Sequence, residues 1–429
     1  MRHSTDRATD SAPAGRQAAA AAGRLAAEVQ GAVDRVLLAH GEYAPVELLI
    51  DQGRLDYSDY EAWRCGELAS LEDALVGNRA RIRDMLTAAA GWARRLGLEA
   101  TRVDYAGWGA PTAKALTLSP ESDLAVALAT HYRRRETPPQ LDLFLDGGEA
   151  ALIKDLRAAL AARRAERAAS LLDDFSGRFP DHRLRPDAER LCDALGHLEG
   201  SGIAASTEQE FHRLRDHLAP AAERLLGARC RDFMTPFWRR LAARLEEVPF
   251  DPASPERHAS WVYARYLDWR GVRRSVLASG DSLRQPVLLT RLADAERRLG
   301  KRVAAIERLA LLCWCFSQQA ESLLDADGFP DTGVRAAWQS YQDLDVEPPV
   351  ESASWFPAWL LLAEPGLAKA WQTPPPDAAG PVGRGFDALK RLVATEQADR
   401  QEIALRLELQ RSHPGFLALF LQWQTGRRD

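Results

Sequence analysis

Along most of this chain apolar residues recur at spacings of three and four, the period that lays them on one face of a helix. Leu25, Val29, Val33, Val36 and Leu37 predict a first helix over 15–40. A short second helix over 45–50 is stopped by Gly53. Ser58-Asp-Tyr-Glu61 and Ser70-Leu-Glu-Asp73 carry the capping-box spacing, so helices are expected to start at both. A longer helix follows over 78–96. From 149 onward the helical period is nearly continuous. Helices are expected at 149–177, 185–198, 205–228, 230–247, 255–278, 284–299, 301–325, 331–342, 354–371, 384–412 and 414–424.

The period shortens only near 101–119. Segments 101–108 and 114–119 read as two strands of a hairpin, with Gly109, Pro111 and Thr112 in the turn. Ser119 before Pro120 starts a helix expected to run to about Arg135, where Thr137-Pro-Pro139 ends it. The fold class is therefore mainly α, an irregular helical-repeat array behind a small α/β N-terminal module. The expected organisation is a disordered tail at 1–13, the α/β module at 14–136 and a connector at 137–148. The array follows at 149–372, then a Pro/Gly linker at 373–384 and C-terminal helices at 385–429.

Composition and charge narrow the function. Of 429 residues 46% are hydrophobic and 27% charged, as in globular proteins. A formal charge of −5 provides no global field toward nucleic acid or anionic lipid. The odd, scattered set Cys65, Cys192, Cys230, Cys313 and Cys315 fits reduced cytoplasmic thiols better than a disulfide framework. No cationic start leads into an apolar leader, and runs such as 309–316 are far short of a membrane span.

Within the array, helices alternate with Gly or Pro. The clearest pair, over 288–320, has Leu292 and Ala293 on one helix, Gly300 at the turn, and Ala305 and Leu309 on the next. This spacing resembles the tetratricopeptide repeat, in which small residues let two antiparallel helices approach closely. The match is partial. Glu296 stands where the repeat has an aromatic, and Leu312 where it has a small residue. An earlier pair at Ala264 and Gly271 lies 29 residues upstream instead of roughly 34. The reading is irregular helical pairing, not membership of that family.

The most specific segment is the connector. Gln140-Leu141-Asp142-Leu143-Phe144 resembles, at all five positions, the pentapeptide by which bacterial proteins bind the DNA sliding clamp. Leu143 and Phe144 suit an apolar pocket, Gln140 offers an amide, and Leu141 fills a minor site. Pro138 and Pro139 favour extended backbone before the motif, and Gly147 and Gly148 separate it from the next helix. The resemblance covers five residues and implies recruitment to replication or repair sites. The alternative is an internal strand or loop with Leu141, Leu143 and Leu145 alternating into the core.

Three further features carry chemistry. Short capped helices, a longer helix and a hairpin give the element order of a winged helix, a DNA- or protein-contacting module. Against DNA, residues 1–115 hold 14 Lys and Arg but 16 Asp and Glu, so a small α/β cap on the array is the other reading. Trp261, Arg265, Trp269, Arg270, Arg273 and Arg274 form a basic-aromatic stripe suited to single-stranded nucleic acid, or to a core face with solvated arginines. The stripe lies in a segment, 258–308, with 11 Lys and Arg against 5 Asp and Glu; 321–364 has the reverse bias, 1 against 9. The apolar tail 414–423 reads as a cap on the preceding helix or as a partner-binding helix.

Phosphate-loop, dinucleotide, zinc-protease, nucleophile-elbow and paired C-x-x-C motifs do not occur. His212 and His217, five apart, would not share a helix face as metal ligands. No cofactor, metal site or catalytic residue is expected. The functional expectation is a non-catalytic adaptor that binds protein partners, among them the bacterial sliding clamp. Nucleic-acid binding and an enzyme with an unrecognised site remain the alternatives.

Overall fold

The computed structural model describes residues 29–109, 115–135, 147–198, 206–280, 282–326, 331–346, 352–394 and 400–426. The tail at 1–13 and residues 140–144 lie outside these. The chain is mainly helical, with one small sheet near its N-terminus. It divides into two compact units. Unit 1 runs to Arg244 and includes Arg265–Asp268; unit 2 comprises Leu245–Ala264 and Trp269–Asp429.

Unit 1 opens with α1 over 29–40, β1 (Glu42–Tyr43), α2 (Pro45–Asp51), α3 (Tyr57–Arg64) and α4 (Arg79–Arg95). Then come β2 (Glu99–Arg102), α5 (Ser122–Ala129) and β3 (Thr130–Arg133). The sheet is antiparallel in the order β1-β3-β2, with Ala100 opposite Tyr132 and Tyr43 opposite the same tyrosine. Two expectations are corrected here. Among the described residues the hairpin of 101–108 with 114–119 reduces to one bridge, Ala106 with Ala115, and β2 pairs with β3 instead. The helix expected to reach Arg135 stops at Ala129, because Thr130 to Arg133 complete the sheet between two partners. His131 locks this arrangement. Its Nδ1 meets the Glu42 carboxylate at 3.0 Å and its Nε2 the Tyr105 hydroxyl at 2.9 Å.

The N-cap of α3 is Asp56, not Ser58: its carboxylate accepts from the Ser58 backbone N–H. That leaves Glu61 free for the core, where it is 3% exposed. It packs beside an aromatic cluster of Tyr57, Tyr60, Trp63 and Tyr105.

Unit 1 continues as α6 (Gly147–Ala161), α7 (Ala165–Arg178), α8 (Arg185–Gly196), α9 (Thr207–His212), a π-turn over Arg213–Leu218, α10 (Ala219–Leu226) and α11 (Cys230–Leu245). The segment expected as one helix at 149–177 is two, α6 and α7. Arg163 between them adopts a left-handed φ of 55°. Without glycine this conformation costs of order 1 kcal/mol, and the Arg163 side chain offsets it. NH1 donates to Glu61 at 2.7 Å, Nε donates to the Asp232 carbonyl at 2.9 Å, and the guanidinium lies 4.3 Å over Trp108. Arg239 of α11 holds the other Glu61 oxygen. One buried carboxylate thus ties α3, the α6–α7 junction and α11 together.

Unit 2 contains α12 (Ala259–Arg265) up to Ala264, α13 (Trp269–Ala278), α14 (Pro286–Arg298), α15 (Arg302–Cys315), α16 (Ser317–Leu324) and α17 (Thr332–Gln342). It ends with α18 (Phe356–Ala363), α19 (Gly366–Ala370), α20 (Pro381–Ala394), α21 (Arg400–Ser412) and α22 (Pro414–Gly426). The helix expected at 255–278 breaks at Leu267, φ 60°, and that at 301–325 at Phe316, whose non-helical backbone forms the N-cap of α16. The core gathers Trp338, Phe356, Phe386, Phe416 and Phe420. Gly385 lets α20 approach Trp355: a Cβ there would lie 2.6 Å from the indole ring. Phe416 and Phe420 are buried, so α22 caps the unit as one of the two tail readings holds. Glu307 receives the Thr373 N–H and hydroxyl at 3.2 and 2.9 Å, anchoring the start of the Pro-rich segment 373–384.

His258 is buried near the start of α12, and its Nδ1 accepts from the Ser260 hydroxyl at 2.8 Å and the Ser260 N–H at 3.2 Å. Burial, aided by the nearby Arg291 cation, brings its pKa down to about 4. His413, edge-on to Trp355 and Phe416, is lowered by burial too.

Two outcomes are expected. Glu61→Ala should lose about 3 kcal/mol in urea unfolding, because the buried Arg163 guanidinium loses its counter-charge while half-exposed Arg239 turns to water; a loss under about 1 kcal/mol contradicts the staple. Above pH 6.5, folded and unfolded states both carry His258 neutral. As pH falls from 6.5 towards 4 only the unfolded chain takes up that proton, so stability should decline across this window. In His258→Gln the decline should be shallower. Superimposable stability–pH curves for the two proteins would contradict the assignment.

Candidate functional site

Of the residues singled out in the sequence, Gln140, Leu141, Asp142, Leu143 and Phe144 lie outside the described residues. The basic-aromatic stripe is described. Trp261 and Trp269 are half-buried, Arg273 partly so, and Arg265, Arg270 and Arg274 are exposed. Arg273 is 3.4 Å from Glu296. Arg274 donates to Glu246 at 2.8 Å and to the Tyr263 hydroxyl at 2.9 Å. The indole of Trp269 is covered by Arg298, 4.6 Å from its centroid. Arg273, Arg274 and Trp269 are thus engaged within unit 2. A nucleic acid would have to displace these contacts.

The helical pair at 288–320 fares differently. α14 and α15 pack together through the turn Leu299-Gly300-Lys301, where Gly300 has φ 73° and Lys301 N–H returns to the Glu296 carbonyl at 2.8 Å. Leu292 and Ala295 are fully buried, and Ala305 nearly so. Glu296, in the place of an aromatic, is 1% exposed and receives Arg273 and Arg308. The segment is a helical hairpin with a buried acid at the position where the repeat has a ring.

Beside this hairpin, small side chains leave an open cavity of about 290 Å³ bounded by α14, α15, α16 and α17. Ala293, Ala305, Ile306, Leu309, Leu323 and Val334 form its apolar walls. Arg297 and Asp294, 2.8 Å apart, stand at the rim, and the Arg297 Nε is buried without an acceptor. Asp331, which also lines the cavity, is held by Arg302 at 2.7 Å; burial pushes its carboxyl up, but Arg302 together with the backbone N–H groups of Val334 and Gly333 keeps it below the ordinary value. An apolar floor with a charged rim is what accepts a bulky side chain carried on a polar peptide. Ala293, Ala305 and Leu309 were visible in the sequence as packing residues. Asp294, Arg297 and Asp331 were not, because nothing in their spacing distinguishes them from solvated helix positions.

Burial holds all five thiols above their ordinary pKa, Cys192 up to about 11 and Cys230 up to about 12. None is poised as a thiolate nucleophile at neutral pH. Cys313 is buried and Cys315 exposed, so the C-x-C pair does not converge. Among the described residues no group of three His, Cys, Asp or Glu could hold a metal, and no helix is long and apolar enough to cross a membrane. Comparison with protein-family models, with curated proteins and with solved structures yields no match to this chain.

Proposed function

We propose that this protein is a non-catalytic adaptor, recruited to the bacterial DNA sliding clamp through Gln140–Phe144 and presenting its helical pairs to a further protein partner. The observation that carries the reading is the five-position match of Gln140-Leu-Asp-Leu-Phe144 between a double proline and a double glycine. Supporting it, unit 2 has an apolar cavity with a charged rim beside a helical hairpin, a form suited to a peptide side chain. The raised thiol pKa values and the absence of familiar catalytic motifs are consistent with a binding role. The nucleic-acid alternative is weakened where Arg273 and Arg274 already face Glu296 and Glu246.

In a pull-down with purified bacterial sliding clamp, the natural chain should be retained and Leu143→Ala/Phe144→Ala lost, a drop of at least about tenfold, since two apolar anchors are removed. Equal retention of the two proteins would remove the clamp from the proposal.

A further inference from the structure

Unit 1 holds a second cavity, larger than that of unit 2, which the adaptor reading does not use. It measures about 470 Å³ and lies where the α6–α7 junction meets the end of α8. Arg163, Arg164 and Arg167 line it, with Glu166 as the acidic member, and Trp108 and Leu195 supply apolar wall. Arg163 is fully committed to Glu61, the Asp232 carbonyl and the Trp108 ring.

Arg164 and Arg167 differ. Several arginines of the neighbouring helices meet carboxylates: Arg185 meets Glu189, and Arg190 and Arg224 both meet Asp187. Among the described residues neither Arg164 nor Arg167 has such a partner, and the Arg164 Nε is buried with no acceptor at all. A buried donor without an acceptor is costly, and a guanidinium offers a planar fork matched to tetrahedral oxyanions. The first turn of α7 forms part of the same wall, and its N-cap, Arg164, provides no acceptor for that helix start. A helix start and two guanidinium charges on one wall both favour an anion, against the single acid Glu166 of the same turn. The volume exceeds the need of a bare ion and falls in the range of small-molecule pockets.

We propose that this cavity is a binding site for a small phosphate- or diphosphate-bearing molecule, its oxyanion held by Arg164 and Arg167 and its apolar part against Trp108 and Leu195. Arg163 shapes the site and holds α7 in place. Glu166 is its one opposing charge among the lining residues. The proposal is independent of clamp binding.

The test is isothermal titration of the full chain with inorganic pyrophosphate at low ionic strength. Saturable one-to-one binding is expected. Arg164→Gln/Arg167→Gln should weaken it at least about tenfold, the loss of one charge-assisted hydrogen bond or more. Because neither arginine holds a carboxylate among the described residues, the double variant should keep its circular dichroism and urea midpoint. Glu166→Gln should tighten binding. Absence of binding at millimolar pyrophosphate, equal affinity in the folded double variant, or weaker binding in Glu166→Gln would each overturn the assignment.

Discussion

A carboxylate removed from water must be neutralised where it sits, and in unit 1 that requirement falls on Glu61. Its side chain is 4% exposed and lies between Arg163 and Arg239. The desolvation penalty of such a group is several kcal/mol, and a carboxylate stripped of both guanidiniums would be an uncompensated charge. The consequence extends through the backbone. Arg163 reaches Glu61 only because the α6–α7 junction turns through a left-handed residue, and the same side chain covers Trp108 and binds the Asp232 carbonyl of α11. One arginine thus touches the turn of the chain, the aromatic packing and the cavity beside α7.

The device recurs. Asp187 is gripped by Arg190 and Arg224, Glu210 by Arg213 and Arg240, and Glu296 by Arg273 and Arg308. All three acids are buried. Arginine is suited to such pairing because its fork serves a carboxylate from two directions and stays charged when desolvated. The two guanidiniums at the start of α7 line a cavity and, among the described residues, meet no carboxylate.

Much of the helical layout was legible in the sequence. Segments 185–198, 230–247 and 284–299 appear as α8, α11 and α14 within a few residues, because their apolar period is strong and Gly or Pro marks their ends. The breaks at Arg163, Leu267 and Phe316 were not legible. Each is a reversal made by an ordinary residue in a conformation that only tertiary contacts or neighbouring geometry sustain, and local sequence carries no sign of it. β3 was missed for a related reason. Thr130 to Arg133 continue the apolar pattern of α5, and only the presence of β1 and β2 on either side turns them into a strand. The apolar cavity was half legible: the alanines were visible as small residues, but whether small residues bring helices together or leave space depends on what faces them.

Glu296 carries one more implication. In regular solenoids each unit meets its neighbours through equivalent greasy faces, so units can be duplicated or deleted with little penalty. Here α14 is matched to α13 and α15 by a sequestered negative charge that, among the described residues, Arg273 and Arg308 answer. A copy of this hairpin inserted elsewhere would bring an acid with no cation to receive it. The stack is thereby committed to its present length and order, and its evolution would have to proceed by reshaping individual hairpins instead of by adding or dropping them.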